Sequence, residues 1–388
     1  MTGLIRMSLD AAEEVRPFAA DSGQLELVNL DAGPVGRATF KPGWRWSEHV
    51  KPIAGTHSCQ AAHTCYFVSG RMRVVMDDGE EMEYGPGDFA FMPREQLLTF
   101  EEVTRIARIF AGLGVRKLRL TGGEPLLRRD LDTLVAMLAR IGGIEDIALT
   151  TNGALLARNA TALAAAGLRR VTVSLDSLDD AVFMALNDAA FPVARVLEAI
   201  DAAAAAGLAP VKVNMVVKRG VNDHSILPMA ARFRHTGHVL RFIEYMDVGT
   251  TNGWRLDDVV PAAEIIAQVG GRWPLEPTTP NYHGEVAARY RYRDGGGEIG
   301  VIASVTQPFC RGCTRSRLSA DGQLYTCLFS AAGHDMRGPL RAGATDQQLN
   351  ELVTGIWARR ADRYSEQRTR QTSRIKPKPK VEMSRIGG

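Results

Sequence analysis

The sequence predicts an α/β protein: a parallel sheet or barrel, preceded by a small all-β fragment and followed by an α+β region carrying a three-cysteine metal site. Three observations lead there. From residue 94 to about 255 strand and helix patterns alternate, which means parallel strands joined by helical crossovers. Before residue 93, short apolar runs are broken by glycine turns instead. Near the other end, Cys310, Cys313 and Cys327 stand at metal-ligand spacing. The corresponding domains are 1–93, 94–255 and 256–388.

The front fragment reads as antiparallel β over 36–92. Its runs at 65–68, 72–76 and 88–92 are separated by Gly70, Asp78-Gly79 and Gly85-Pro86-Gly87-Asp88. The first helix begins at Thr99 with Glu102 as a capping box, and Val103, Ile106, Phe110 and Leu113 follow at helical spacing. Strands are predicted near 116–120, 146–150, 170–175, 211–217 and 239–245, with helices at 130–140, 155–166 and 192–206. These strands read as apolar on both sides, which predicts a sheet buried on both faces. A helix at 261–269, a β-rich stretch at 286–305, the cysteine hairpin and a helix at 346–357 complete the order. The basic tail from Arg359, with Lys376-Pro377-Lys378-Pro379-Lys380, reads as solvated chain ending in Gly387-Gly388.

Composition narrows the class. Hydrophobic content of 45% and charged content of 23% are those of a globular protein, and a net charge of +3 is too small to imply nucleic acid. No apolar run reaches the ~18 residues that span a bilayer, and no secretory pattern opens the chain, so no membrane is expected. Five cysteines without a signal argue for a reducing cytoplasm, where clustered thiols hold metal.

The chemistry gathers at strand ends. The successive strands lead into Thr121-Gly122-Gly123-Glu124-Pro125, Thr150-Thr151-Asn152-Gly153 and Ser174-Leu175-Asp176-Ser177; later ones carry Lys212, Asn214, Arg241 and Glu244. In parallel α/β sheets and barrels these ends build the site. Lys212 and Arg241 inside apolar strands are costly unless they face a polar cavity or a charged ligand, which points to an anion. Three thiolates without an obvious fourth leave one metal position open, with Arg311, Arg315 and Arg317 beside it. Read alone, the same cysteines also fit a structural zinc site completed by His334.

With those segments on view, together with Arg241-Phe242-Ile243-Glu244-Tyr245-Met246-Asp247, residues 94–388 resemble the GTP 3',8-cyclase family of molybdenum cofactor biosynthesis, in the radical S-adenosylmethionine superfamily. The resemblance implies a partial TIM-type (βα) barrel that here lacks its first strand. It implies S-adenosylmethionine contacts at Gly123, Thr150, Ser174 and Met246, and GTP contacts at Arg119, Lys212, Arg315, Ser316 and Arg317. Cys310, Cys313 and Cys327 would hold an auxiliary [4Fe–4S] cluster whose open iron meets the guanine end of GTP. A homodimer and a downstream cyclic pyranopterin monophosphate synthase are further implications, and the Gly-Gly tail would reach the active site. The family's Cys-x3-Cys-x2-Cys motif does not occur here, so no catalytic residue is assigned. A GTP and Fe–S binding remnant, or a gene-fusion product, is the alternative reading. Residues 36–92 resemble a truncated cupin on Pro42-Gly43-Trp44-Arg45-Trp46, Gly70-Arg71-Met72 and Gly85-Pro86-Gly87-Asp88. Their His49, His57 and His63 lack cupin metal spacing, and Cys59 and Cys65 read as buried thiols.

Overall fold

A computed structural model describes residues 7–30, 33–54, 59, 63–75, 81–92, 97–187, 191–249, 253–282, 284–308, 310–368 and 381. It divides into two compact units, Met1–Gln96 and Leu97–Gly388.

Among its described residues the first unit holds three small antiparallel sheets. β1 (Glu14–Pro17), β2 (Gly23–Leu30) and β3 (Gly33–Phe40) form one. β4 (His63–Tyr66) pairs with β7 (Phe89–Met92), and β5 (Met72–Val75) pairs with β6 (Glu81–Tyr84). The sequence reading starts this region at 36 and misses β1 and β2, because β1 is exposed along its whole length and shows no apolar alternation. Cys59 and Cys65 are not buried thiols: both are half-buried, and Cys59 Sγ lies 3.0 Å from His63 Nε2. His57 and the Gly-Gly terminus lie outside the described residues.

The second unit is built on one eight-stranded sheet. β8 (Lys117–Leu120), β9 (Asp146–Thr151), β10 (Arg170–Ser174), β11 (Lys212–Val217) and β12 (Val239–Glu244) run parallel in that order. Beyond β12 the sheet continues into the last third of the chain. There β13 (Leu275–Thr278) and β14 (Ala288–Tyr292) are antiparallel, and β15 (Glu298–Ile302) lies parallel to β12. The strand order β13-β14-β15-β12-β11-β10-β9-β8 is open, with edges at β13 and β8. The strand-helix alternation read from sequence stops near 255 because the chain turns antiparallel within the same sheet.

The strands are not apolar on both faces. Ile147, Leu149, Val171, Val173, Val213, Met215, Leu240 and Phe242 belong to one large core with residues of the crossover helices. Alternate positions on β11 are only half-buried and carry Lys212 and Asn214. Side chains alternate along a strand, so one face packs and the other is left for polar groups.

Helix Phe100–Gly112 ties this sheet to the C-terminal elements. Thr99 and Glu102 form the expected capping box, satisfying two orphan helix donors. Ala107 and Ala111 join the sheet core, whereas Ile106 and Ile109 pack with Leu324, Met336, Leu349 and Val353. The cysteine hairpin thereby stands in the same compact unit as the parallel strands.

Candidate functional site

Strand register gathers the site residues on the polar face. Thr150 of β9 stands opposite Thr172, and Thr172 opposite Lys212. Ser174 is opposite Asn214, which is opposite Arg241. Arg119 and Arg170 are both in register with Ala148, so they lie on this face too. The result is a row of four cationic side chains across parallel strands.

Their electrostatics are those of a site awaiting negative charge. Arg170 is held by Asp146, Nε donating to Oδ1 at 3.1 Å. Arg241 donates to Asn214 Oδ1 at 2.9 Å and Thr172 Oγ1 at 3.4 Å, which aims it without neutralising it. Among the described residues neither Lys212 nor Arg241 has a carboxylate in ion-pair contact. Burial, then Arg241, Arg170 and Arg119, lowers the Lys212 pKa to about 8. Burial and then Arg119 lower Arg241 to about 10. Desolvation also pulls Arg119 down, with Tyr282 opposing and Arg170 and Arg315 adding to it. Arg119 itself sits on the edge strand β8 and is exposed by surface area. A polyanion laid on this row would relieve mutual repulsion as well as form charge-assisted hydrogen bonds.

The turn residues after the strands divide into two classes. Glu124 accepts from Thr151 Oγ1 and the Asn152 N–H, each at 2.7 Å, and so ties the Gly122-Gly123 loop to the end of β9. Thr150 Oγ1, by contrast, is buried with no hydrogen-bond partner among the described residues. A buried orphan hydroxyl on a polar face calls for a ligand. Glu244 lies with Val217 on the helix-covered face rather than the polar one. It accepts from the N–H groups of Ala262, Val305 and Thr306 and from Thr306 Oγ1, so it clamps loops and faces no ligand.

The cysteines sit on turns that fold back to this face. Cys313 N–H donates to the Cys310 carbonyl at 3.2 Å, closing the first turn. The strands β16 (Arg317–Leu318) and β17 (Gln323–Tyr325) make the hairpin that brings Cys327 round. Gly322 is required at its bend: its φ is +82°, and a Cβ there would meet Arg337 Cβ at 2.7 Å. β18 (His334–Asp335) pairs with β17 and leaves His334 exposed.

Burial raises the Cys313 thiol pKa, but Arg315 and Arg360 outweigh it and bring it to about 7. Arg360 also donates to the Cys313 carbonyl at 2.6 Å. Burial raises the Cys327 thiol, with Asp362 and Cys310 adding to it. Arg317 is lowered to about 10 by burial, then Arg315; Cys313 and Cys327 oppose, and Arg119 adds to the lowering. These mutual influences put the hairpin arginines, two thiols and the cation row within electrostatic reach. As they stand, no three His, Cys, Asp or Glu side chains among the described residues converge closely enough to hold a metal ion. Ser316 is half-buried between the two arginines.

Several functional neighbours carry no sequence signal. Arg170 reads as an ordinary strand-start charge. The loop between β13 and β14 brings Tyr282 and Glu285 toward the row, with Lys117 Nζ 3.7 Å from the centre of the Tyr282 ring. Met246 adjoins a buried anchor at Asp247, which pairs with Arg368 at 2.5 Å and accepts from Tyr364 Oη at 2.5 Å. The sequence reading passes over that anchor because its partners are over a hundred positions apart. No helix among the described residues is long and apolar enough to cross a membrane.

Comparison with known proteins bears on this geometry. The Radical SAM superfamily model matches residues 63–233, and the Molybdenum Cofactor Synthesis C model matches 238–366. The first match starts about thirty positions ahead of residue 94, where the resemblance in the sequence begins. A GTP 3',8-cyclase of Acidothermus cellulolyticus is 60% identical over 289 residues, 74% of this chain and 80% of that protein. One of Staphylococcus aureus is 48% identical over 302 residues, 78% and 88% respectively. Among solved structures, HydG, a maturase of the [FeFe]-hydrogenase, overlaps with a TM-score of 0.37 at 17% identity, covering 45% of this chain and 42% of its own. Coproporphyrinogen III oxidase of Escherichia coli, a radical SAM enzyme, overlaps at 0.36 and 13%, covering 52% and 55%.

Proposed function

This chain belongs to the GTP 3',8-cyclase family of molybdenum cofactor biosynthesis, and from that premise we propose that it binds GTP, triphosphate on the cation row and base toward the cysteine hairpin. The observation that carries this is the row itself: Arg119, Lys212 and Arg241 on one face of parallel strands, with Lys212 and Arg241 lacking carboxylate partners among the described residues. Arg315, Ser316 and Arg317 would close on the phosphates from the hairpin. Several cations on one triphosphate fix its position as well as its charge.

Cys310, Cys313 and Cys327 would hold a [4Fe–4S] cluster. The donor set suits it, since arginines favour the Cys313 thiolate and one tight backbone turn joins Cys310 to Cys313. Such a cluster would supply an open iron as Lewis acid toward the base. Gly123, Thr150, Ser174 and Met246 would line the place of S-adenosylmethionine, a reading supported by the orphan Thr150 hydroxyl.

One observation favours a narrower activity than the family's. Beyond the hairpin the chain has only Cys59 and Cys65, which cannot form the Cys-x3-Cys-x2-Cys that serves radical generation in the family. Read on its own residues, the chain binds GTP and one cluster without cleaving S-adenosylmethionine. Anaerobic reconstitution tests this: roughly four irons per chain, GTP binding and no 5'-deoxyadenosine are expected. Roughly eight irons with 5'-deoxyadenosine release would overturn the narrower reading. Unchanged GTP affinity in Arg317→Ala would remove that residue from the site.

A further inference from the structure

The loop between β13 and β14 contributes a carboxylate that the reading above does not use. A Cβ on Gly284 would stand 3.5 Å from the Gly312 carbonyl and 3.6 Å from Thr314 Oγ1, so this loop lies against the cysteine turn. The next residue, Glu285, is half-buried, and its Oε2 accepts the Asn281 N–H at 2.6 Å. Among the described residues it has no lysine or arginine in ion-pair contact. It lines a cavity of about 540 Å³ whose wall also includes Gly312, Cys313 and a second carboxylate, Glu366, which unlike Glu285 is paired with an arginine, Arg363 at 2.6 Å. The negative charge of Glu285 is felt by Lys212 and Arg241, opposing the lowering of both.

An oriented, acceptor-only group therefore stands at the thiol end of the site, near enough to the cation row to be sensed there. A phosphate beside it would be repelled, so the part of a nucleotide that suits this cavity is the base. Of the purine bases, guanine presents an exocyclic 2-amino group with two N–H donors, whereas hypoxanthine has none there. Resting on the GTP reading, we propose that Glu285 is a specificity-determining residue that accepts a hydrogen bond from the guanine 2-amino group in the cavity beside Cys313. A hydrogen bond to a charged acceptor, and the cost of leaving that acceptor unpaired, both act against an analogue lacking the donor.

The test is equilibrium dialysis of the anaerobically reconstituted full chain against GTP and against ITP, which differs only by the missing 2-amino group. The wild-type chain should prefer GTP by about tenfold or more. Glu285→Ala should bring that ratio near one, mainly by weakening GTP. Glu285→Gln, which keeps a carbonyl acceptor without the charge, should retain part of the preference. Thermal melts matching wild type confirm that the variants are folded. A preference that survives Glu285→Ala overturns the assignment, as does a parallel rise of both affinities, which would make Glu285 a charge acting on phosphate. Failure of the wild-type chain to bind either nucleotide would instead overturn the GTP reading together with this inference.

Discussion

The two units of this chain use similar apolar content to different ends. In residues 97–388 parallel strands and crossover helices enclose one continuous core, and Phe242, Val213 and Leu149 are fully buried in it. Among the described residues of 1–96 only Val28 and Ala90 are buried apolar side chains, while Val68, Phe89 and Phe91 are 80%, 78% and 66% exposed. The larger unit can hold cations such as Lys212 and Arg241 in costly places because the packed face of the same strands stabilises it. Among its described residues the smaller one has three separate sheets and no comparable core, and two-stranded pairs of that kind are marginal alone. The difference teaches where function can be stored: charged groups crowded together require a rigid body behind them.

The largest effects should fall on the anchor that joins the strand ends to the C-terminal helices. Arg368 and Asp247 are 3% and 8% exposed, and Trp254, Phe329 and Tyr364 ring the guanidinium. Asp247→Ala leaves that charge buried and uncompensated, so a loss of about 3–5 kcal/mol is expected. Phe242→Ala, a cavity in the core, should cost about as much, roughly 3–5 kcal/mol. Urea titration of the large unit's transition measures both. A loss below about 1 kcal/mol in either would break the claim that this unit is the rigid one.

Next in size is the cation row. Lys212→Met removes one charge-assisted contact to phosphate and should weaken GTP roughly tenfold to a hundredfold with little change in fold stability. The wild type should also show a pH dependence with a definite sign. Lys212 is protonated below its lowered pKa of about 8 and loses its charge above it, so affinity should hold from pH 6 to 7.5 and fall as pH rises beyond 8. Isothermal titration across that range reads the slope, and Lys212→Met should flatten it. A slope that persists in the variant would assign the titration elsewhere.

Much of the larger unit was legible because periodicity and burial agree there. The strands predicted near 116–120, 146–150, 170–175, 211–217 and 239–245 are found within a residue of those bounds, each apolar on the side that meets helices. Lys212 and Arg241 announced the polar face, since a charge inside an apolar strand needs a reason. Helices Asp180–Asn187 and Ile226–Phe233 and strand β13 escaped notice, being short and set among turn residues that blur the period. Glu244 was misread as facing the site: its strand position is right, but strand alternation puts it on the packed face, where it clamps backbone donors. Glu285 and the Asp247–Arg368 pair could not be read in advance, because only folding brings distant segments together.

The smallest effect is also the sharpest test of the contrast. Phe89 packs against Tyr66 in a tilted contact with ring centres 4.7 Å apart, yet stays 78% exposed. Phe91, two positions on, points to the same side of β7, so the two rings leave an apolar strip on a two-stranded sheet. Such strips raise association between chains and add little to folding. Phe89→Ser should therefore change unfolding free energy by no more than about 0.5 kcal/mol. The same variant should reduce light scattering on concentration and lower the binding of an apolar dye. A loss above about 2 kcal/mol would show that Phe89 supports a packed core after all, and the two units would then differ in degree rather than in kind.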